Sequence, residues 1–400
     1  MTPTRFSTIR TALIAGGGIA GPTAGIALTQ AGIEATVYEA YQSSASGIGG
    51  ALSIASNGLD ALDAIGAGDA VRRIGTPIAS IVLQSWTGRT LAEFGTPPGM
   101  PTMQFVSRSD LYCSLAAEAH SRGVRIARGK RLIDVSEHSD GIIARFADGS
   151  SADADVLIGA DGIRSTVRSL IDPAAPEAQY AGLISFGAQV ADLDLPSTGG
   201  KMYMSFGRRA FFGYQVHDDA SGLWFVNLPR EKPISFAAAL GRGADRWLTE
   251  LTATFRDDRT PAAEIIERTD PADLLITGPV ESMPKVATWS RGRMVLIGDA
   301  AHAASSSSRQ GASLAVESAV QLARCLRDLR YQQAFVRCEE LRRERVERII
   351  ATAARTNSNK AAGPVARVVR DRLMPATMKL TRPEKATWQY DHHIDWAAAA

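Results

Sequence analysis

The sequence has 400 residues, of which 45% are hydrophobic, so it can form a large core and is expected to fold as two intertwined domains. Its 44 basic and 42 acidic residues give a net charge of +2, which provides no electrostatic reason to expect nucleic acid or a membrane as a partner. Cys113, Cys325 and Cys338 are odd in number and widely spaced. They predict neither a disulfide framework nor a metal site, and a cytoplasmic location is favoured.

The first elements form a βαβ unit. Thr11–Ala15 is a short apolar strand that enters a glycine cluster, Ala20–Gln30 has the pattern of a helix, and residues 35–38 form a second strand that ends at Glu39. The apolar stretch 11–28 is interrupted by glycines and Pro22, so a signal peptide or membrane helix is not predicted.

Gly16, Gly18 and Gly21 form G-x-G-x-x-G between this strand and this helix. The first glycine allows a tight turn, the second lets a pyrophosphate approach the backbone, and the third permits close helix packing. Glu39 can accept hydrogen bonds from a ribose 2′-hydroxyl and disfavours a 2′-phosphate. The unit therefore predicts a site for FAD or NAD.

The elements that follow alternate between helices and strands. Residues 57–65 and 110–122 are predicted to be helical, 91–103 a connecting loop, and 123–127, 130–136 and 142–146 the strands of a hairpin region with Asp148-Gly149 as its turn. A separate aromatic-rich sheet is predicted over 180–228, and a helical stretch over 236–255. A short buried strand at 294–297 precedes two helices, at 312–329 and 332–354.

Two later segments, V-L-I-G-A-D-G at 156–162 and M-V-L-I-G-D-A at 294–300, share one design. Each is an apolar strand that delivers an aspartate, Asp161 or Asp299, beside a glycine at its carboxyl end, where open α/β sheets bind ligands. Either aspartate alone is equally well explained as a carboxylate that caps a turn. The helix that begins near Ala312 presents N-terminal amides that can stabilise negative charge on a bound flavin.

Three motifs give the sequence a specific resemblance. G-G-G-I-A-G at 16–21, G-A-D-G-I-R-S-T-V-R at 159–168, and G-D-A-A-H at 298–302 with Q-G-A at 310–312 occur in this order. In this respect the chain resembles the class A FAD-dependent monooxygenases, which include p-hydroxybenzoate and salicylate hydroxylases. The resemblance implies an α/β protein with a Rossmann-like FAD-binding domain, an inserted mainly β substrate domain and C-terminal helices. The expected boundaries are 1–180 and 286–330 for the FAD-binding domain, 181–285 for the sheet domain, and 331–400 for the helices and tail.

The same resemblance implies which residues bind FAD. Glu39 would hold the adenosine ribose, Asp161 would serve FAD and reduced nicotinamide, and Asp299 would contact the ribityl chain. The expected FAD-binding set is Gly16, Gly18, Ala20, Gly21, Glu39, Arg108, Asp161, Gly298, Asp299, Gly311 and Ala312. Arg108 has the alternative of being an exposed arginine at the start of a helix.

The resemblance also implies the reaction, in which NADH or NADPH serves as a transient reductant and oxygen is delivered to an aromatic or polyketide-like small molecule. Arg164 is the candidate nicotinamide contact, together with Asp161. Phe211, Tyr214 and Trp224 are candidates for lining the substrate pocket, although ordinary sheet packing explains each of them as well. No catalytic triad or metal cluster is predicted, and His302 is expected to be structural.

The sequence departs from the family pattern between His302 and Gln310. The family usually has proline and glycine where this chain has Ser306 and Arg309, and Glu-Asp where it has Glu317-Ser318. Arg309 is expected to distort the turn, crowd the flavin or add a charged contact to it. Two alternatives therefore stay open: a redox-neutral enzyme with weak or no FAD, and a noncatalytic ligand-binding protein.

Overall fold

The structure is a computed structural model that describes residues 9–43, 50–360, 363–380 and 387–400. Its strands are β1 Thr11–Ala15, β2 Glu34–Glu39, β3 Ala51–Ile54, β4 Thr76–Pro77, β5 Ser80–Ser85, β6 Thr90–Gly95, β7 Gln104–Ser107, β8 Arg125–Arg128, β9 Leu132–Glu137, β10 Ile142–Phe146, β11 Ser151–Ala154, β12 Val156–Gly159, β13 Gln179–Val190, β14 Lys201–Phe206, β15 Phe211–Val216, β16 Gly222–Pro229, β17 Leu275–Ser282, β18 Ser290–Arg291 and β19 Met294–Leu296.

The helices are α1 Ala20–Gln30, α2 Ser56–Ala64, α3 Gly68–Arg72, α4 Arg108–Ser121, α5 Thr166–Ile171, α6 Phe236–Gly241, α7 Ala244–Phe255, α8 Ala262–Glu267, α9 Asp299–His302, α10 Gly311–Asp328, α11 Tyr331–Lys360 and α12 Pro364–Leu380. Short 3-10 turns cover Pro271–Asp273 and Ser306–Ser308. In the part of the chain that the structure describes, none of these helices has an apolar stretch long enough to cross a bilayer.

A six-stranded sheet with the order β18-β19-β12-β1-β2-β8 forms the first domain, and all its strands except β18 run parallel. Alternate residues of β1 enter different cores, because successive side chains of a strand point to opposite faces. Ile14 packs with α1, α2 and α10 on one face, whereas Leu13 packs with β9–β11 and α11 on the other. The Rossmann-like α/β fold predicted from the sequence is confirmed.

A seven-stranded sheet with the order β17-β13-β16-β15-β14-β5-β6 forms the second domain. Its outer face is covered by α6, α7 and α8, around a core that contains Phe186, Phe212 and Trp247. Its inner face carries Met204, Phe206 and the neighbouring apolar residues of a second cluster, which includes Ala55 of the first domain. The inner face therefore looks toward the six-stranded sheet. Two of its strands, β5 and β6, lie before residue 181, and the boundaries expected from the sequence remain a proposal.

Three sequence-based predictions of elements were wrong in detail. The loop expected over 91–103 begins within β6, which pairs with β5. The expected strand over 123–127 is β8, which joins β2 in the parallel sheet and not the hairpin region. The helix expected over 236–255 is two helices, because the chain turns at Gly243 with φ of 85°. The last predicted helix, over 332–354, is present, but it is longer than expected and ends at Lys360.

Candidate functional site

The glycine loop after β1 has the geometry that its motif requires. Gly16 has φ of 104°, and a methyl group built on it would lie 2.4 Å from the Ala160 carbonyl oxygen. A methyl group on Gly21 would lie 1.9 Å from the Gly16 carbonyl oxygen, whereas one on Gly18 would meet no described atom within 4 Å. Close contacts with the neighbouring backbone therefore require glycine at positions 16 and 21, whereas Gly18 borders open space.

Glu39 lies at the end of β2, beside this loop. Its side chain is 9% exposed, and its carboxylate accepts hydrogen bonds from the Gly17 amide at 2.7 Å and the Tyr41 amide at 2.9 Å. Each carboxylate oxygen has two acceptor positions, so Glu39 can hold the loop and still accept from a ribose hydroxyl.

Asp161 follows β12 and stands against the glycine loop, since its Cα lies 2.8 Å from the methyl position of Gly16. Its carboxylate accepts from the Ser165 hydroxyl and from the Thr166 and Val167 amides at 2.7 and 3.1 Å. It therefore fixes the start of α5. Burial raises the pKa of Asp161, although these hydrogen bonds oppose the shift.

Asp299 follows β19 and begins α9, after Gly298 with φ of 58°. Gly298 is wedged between two helices, because a methyl group on it would lie 3.1 Å from Ala20 Cβ and 3.2 Å from Ala315 Cβ. Burial raises the pKa of Asp299, and the positive charge of Arg108 partly opposes this rise. Arg108, whose charge acts on Asp299, is the exposed first residue of α4.

Arg168, the last residue of the second motif, ties the two aspartate segments together. It is 5% exposed and donates to the carbonyl oxygens of Ile163 at 2.7 Å and Ala300 at 3.0 Å. The sequence suggested no role for it apart from the motif. Its two bonds hold the turn after β12 against α9.

These features fit a dinucleotide cofactor. β1, β12 and β19 are adjacent parallel strands, so their carboxyl ends deliver the three motif segments to one edge of the sheet. Within the described residues no side chain caps the N-terminus of α1, which leaves its first amides for an anionic group. Gly311 and Ala312 begin α10 and are half-buried, and the neighbouring Gln310 has a buried amide nitrogen without a partner in the described chain. Gly18, Gln310 and the free helix ends are features that FAD would use.

Arg309 precedes this helix and has φ of 55°, the left-handed conformation that glycine adopts without strain. Its guanidinium donates to Met204 Sδ at 2.7 Å and to the Tyr390 hydroxyl at 2.9 Å. The side chain therefore extends to the inner face of the seven-stranded sheet. The turn keeps the conformation that a glycine would give it, and the arginine reaches the second domain.

The three aromatic candidates for the pocket do not share one face of the sheet. Phe211 belongs to the inner face, where its ring contacts Phe206 and Phe225. Tyr214 and Trp224 lie on the outer face, and Trp224 Nε1 donates to Thr269 Oγ1 at 2.9 Å. Tyr214 is three residues from Phe211 along β15, so its side chain points to the opposite face. Trp224 pairs with Tyr214 on the neighbouring strand β16 and shares that face. The pocket role suggested for Tyr214 and Trp224 is therefore corrected to core packing beneath α7 and α8.

Sequence reasoning missed two polar residues on the inner face. Lys360, the last residue of α11, is 8% exposed and its Nζ donates to Asn227 Oδ1 at 2.5 Å. Nζ also lies 4.1 Å from the centroid of the Phe211 ring. The two residues are 133 positions apart, and no spacing in the sequence indicates the contact.

His302 is 3% exposed, and its Nε2 hydrogen-bonds the Ser318 hydroxyl at 2.9 Å. Burial, with the charge of Arg342 added, lowers the pKa of His302 to about 3. The imidazole is therefore neutral and held in the core. Ser318, which stands where the family has an acid, serves as its partner.

Comparison with known proteins identifies the family. A sequence profile described as FAD binding domain matches residues 10–335. The chain is 33% identical to a 3-amino-4-hydroxybenzoate 2-monooxygenase of Streptomyces platensis, over 92% of this chain and 93% of the relative. The chain belongs to the family of FAD-dependent monooxygenases.

Other members of this FAD-dependent monooxygenase family agree with the assignment. An aurachin C monooxygenase/isomerase of Stigmatella aurantiaca is 30% identical over 86% of this chain and 88% of its own. The crystal structure of Klebsiella pneumoniae HpxO complexed with FAD and uric acid superposes with a TM-score of 0.83 over 97% of each chain, at 24% identity. That structural likeness concerns the fold. The family resemblance seen in the three motifs is confirmed, and FAD is the cofactor that the family binds.

Proposed function

We propose that this enzyme uses NADH or NADPH and molecular oxygen to hydroxylate an aromatic or polyketide-like small molecule, with FAD as its cofactor. Bound FAD supplies the redox chemistry and the activation of oxygen. The protein binds and orients FAD through the set predicted from the motifs, and it holds the substrate in a site from which water is excluded. The cytoplasm remains the proposed location, on the pattern of cysteine usage.

The observation that carries this proposal is the convergence of the three motif segments beneath the inner face of the second sheet. Gly18 leaves the pyrophosphate position open, Glu39 offers an acceptor for the ribose, and Asp299 is half-buried and subject to the charge of Arg108. The inner face of the sheet, with Phe211, stands across from the loop that precedes α10. The substrate would bind between these two surfaces. The 3-amino-4-hydroxybenzoate 2-monooxygenase of Streptomyces platensis is named for an aromatic substrate, and this supports an aromatic substrate for the present enzyme.

For the nicotinamide, Asp161 and Arg164 remain the proposed contacts. Arg164 has a 74% exposed side chain and pairs with Glu281 at 2.9 Å. An exposed pair contributes little to stability, so Arg164 can exchange Glu281 for a passing phosphate at small cost. Arg164→Ala should therefore raise the KM for the reductant while flavin content stays unchanged.

The alternative of a fold with weak or no FAD rested on Ser306 and Arg309. Ser306 is exposed, and the guanidinium of Arg309 bonds to Met204 and Tyr390. Neither observation gives a reason for FAD to be excluded. The experiment below still separates that alternative from the proposal.

The test begins with the visible spectrum of the purified protein before and after FAD is added, followed by denaturation to quantify released flavin. NADH or NADPH is then added together with each of a set of aromatic compounds, and oxidation of the reductant is measured. The reaction is repeated with isotope-labelled dioxygen, and incorporation of the label into the product is measured. We expect bound flavin and a labelled hydroxyl group. Asp299→Ala should lose flavin, whereas Asp110→Ala, on the exposed first turn of α4, should keep it.

Three outcomes contradict the proposal in different ways. Folded protein that takes up no FAD favours the redox-neutral alternative. Flavin without substrate-stimulated oxidation of the reductant favours a ligand-binding protein. Full flavin affinity in Asp299→Ala places the ribityl site elsewhere.

A further inference from the structure

The inward side of α12 carries charged side chains. Arg370 and Asp371 form an ion pair at 2.7 Å whose side chains are only 7% and 16% exposed. The guanidinium carbon of Arg370 lies 4.3 Å from the centroid of the Phe206 ring. Met374, one helical turn further along, packs against the same cluster on the inner face of the second sheet. This side of α12 therefore rests on the second domain and is already occupied.

The opposite side of α12 is apolar and faces solvent. Four of its side chains form what we call the outer stripe: Val365, Val368, Val369 and Leu373, with exposed fractions of 78%, 50%, 50% and 57%. Their spacings of three and four residues place them on one side of the helix. A surface helix of a globular protein ordinarily turns its apolar stripe toward the core and its charges toward water. The reversed arrangement in α12 marks the outer stripe as an interaction surface.

Basic residues accompany the outer stripe. Arg372 is exposed, and it lies next to Leu373 and one turn after Val368. In the sequence, residues 364–385 hold six of the 44 basic residues but only two of the 42 acidic residues. The remainder of the chain is therefore slightly acidic. The net charge of +2 for the whole chain averages over this local excess, which favours a negatively charged partner.

Two other coverings of the outer stripe fit less well. A specific dimer buries roughly 800 Å² of each partner, which is more than four side chains offer, and a symmetric pairing would bring two basic helices together. A segment of the same chain would need apolar residues of its own. The segments outside the described residues are short, and each has at most two large apolar residues: 1–8, 44–49, 361–362 and 381–386.

We propose that α12 docks on an anionic lipid surface. The outer stripe inserts at the level of the lipid headgroups, and Arg372 pairs with lipid phosphate. Interfacial helices bind by this combination, because burial of apolar side chains and attraction of Lys and Arg to anionic lipids add together. α12 has 17 residues, and none of the described helices is long and apolar enough to cross a bilayer. The enzyme therefore lies on the membrane surface through α12. This inference goes beyond the proposed function and does not depend on it.

The first test is co-sedimentation of the FAD-loaded enzyme with lipid vesicles. Vesicles of phosphatidylcholine alone are compared with vesicles in which about one third of the lipid is phosphatidylglycerol. We expect at least about 10-fold tighter binding to the anionic vesicles, since each basic residue near such a surface contributes about 5-fold. Raising the salt from about 0.1 M to about 1 M should weaken this binding. Equal binding to both vesicles, or no binding to the anionic ones, overturns the proposal.

Variants show whether the outer stripe causes the binding. The double variant Val369→Gln/Leu373→Gln should bind anionic vesicles at least about 10-fold more weakly, the effect of leaving one such side chain unburied. Arg372→Gln should weaken binding by about 5-fold. Val336→Gln is the matched control, because this valine is 56% exposed on α11, and it should bind as the unaltered enzyme does. Undiminished binding of the double variant, or an equal loss in Val336→Gln, overturns the proposal.

A fluorescent label shows which surface meets the lipid. Cys113 is the exposed cysteine of the described chain, so Cys113→Ser removes the competing thiol. In that background, an environment-sensitive dye attached to Leu373→Cys should shift to shorter wavelength when anionic vesicles are added, whereas the same dye on Val336→Cys should not. A shift at position 336 and none at position 373 overturns the proposal.

The oligomeric state tests the remaining occupant of the outer stripe. Sedimentation velocity of the FAD-loaded enzyme without lipid should give the same oligomeric state for the unaltered protein and for Val369→Gln/Leu373→Gln. A dimer that this double variant dissociates would overturn the proposal in favour of a second copy of the chain. Thermal midpoints and flavin spectra of the variants should match those of the unaltered enzyme, because the substituted side chains point away from the second domain.

Discussion

Arg342 and Glu317 form an ion pair whose side chains are 1% and 0% exposed. The same carboxylate accepts from Arg345 at 2.9 Å and from the Asn57 amide at 2.5 Å. It therefore joins α2, α10 and α11 behind the loop that carries Gln310, which Asn57 also bonds at 2.9 Å. Burial raises the pKa of Glu317, but the charges of Arg342 and Arg345 outweigh it and lower the pKa to about 2.

Glu317→Gln should lower the free energy of unfolding by about 3–5 kcal/mol, because it leaves Arg342 buried without a counter-ion. Urea denaturation of the flavin-loaded protein measures this change. Glu339→Gln is the matched control, since its pair with Arg343 is partly exposed and should be worth less than about 1 kcal/mol. Similar losses of unfolding free energy in both variants would mean that the buried pair contributes no more to stability than the partly exposed pair.

The stability of the enzyme should fall as the pH is lowered through the histidine range. His302 has an ordinary pKa of 6.5 when unfolded and about 3 when folded, so the unfolded chain binds a proton that the folded chain refuses. The contribution of His302 to the free energy of unfolding therefore has its full value above pH 6.5 and decreases as the pH falls toward 3. At about pH 5 the loss from this residue should be roughly 2 kcal/mol. His302→Asn should show a smaller decrease between about pH 7 and pH 5 in urea denaturation, and an equal decrease would assign it to other groups.

Gly18 and Gly21 should respond differently to the same added methyl group. Gly18→Ala leaves the fold intact, because its methyl position is open and its φ is not positive, but it should weaken FAD binding by obstructing the pyrophosphate. Gly21→Ala should destabilise the protein itself, since its methyl position lies 1.9 Å from a carbonyl oxygen. Thermal unfolding without flavin and fluorescence titration with FAD give the two readouts. Normal FAD affinity in Gly18→Ala would place the pyrophosphate away from this loop.

Arg309→Gly should leave the dissociation constant of FAD unchanged. The guanidinium contacts Met204 and Tyr390, and glycine adopts the observed φ of 55° without the cost of about 1–2 kcal/mol that other residues bear. Fluorescence titration with FAD checks the expectation, with Ser306→Gly at an exposed position as the control. Tighter FAD binding in Arg309→Gly alone would show that the arginine crowds the flavin.

Local patterns in the sequence were enough to predict the cofactor side of the site. The strand, the glycine spacing and Glu39 all lie between Thr11 and Glu39, and the positive φ that the motif requires at Gly16 is observed. Local patterns also fail in understandable ways. Gly243 allows a helix break that hydrophobic periodicity does not register, and β6 is a strand because β5 pairs with it.

The substrate side depends on contacts that no local pattern contains. The direction of Tyr214 and Trp224 follows from which face of the sheet the helices cover, and this is decided by the whole second domain. Lys360 reaches Asn227 because α11 extends for 30 residues and ends over the sheet. A lysine at the end of a charged helix is ordinarily a solvated residue, and its burial is visible only in the structure.

The order of the strands in the six-stranded sheet has a consequence for co-translational folding. β1 and β12 occupy the middle of the sheet, but β19 is synthesised after the entire second domain. A nascent chain that has emerged only to the end of β12 exposes one edge of that strand and lacks α10, which later covers α1. The flavin site is therefore completed late in translation, and truncated chains that end before α10 should depend on chaperones and remain colourless.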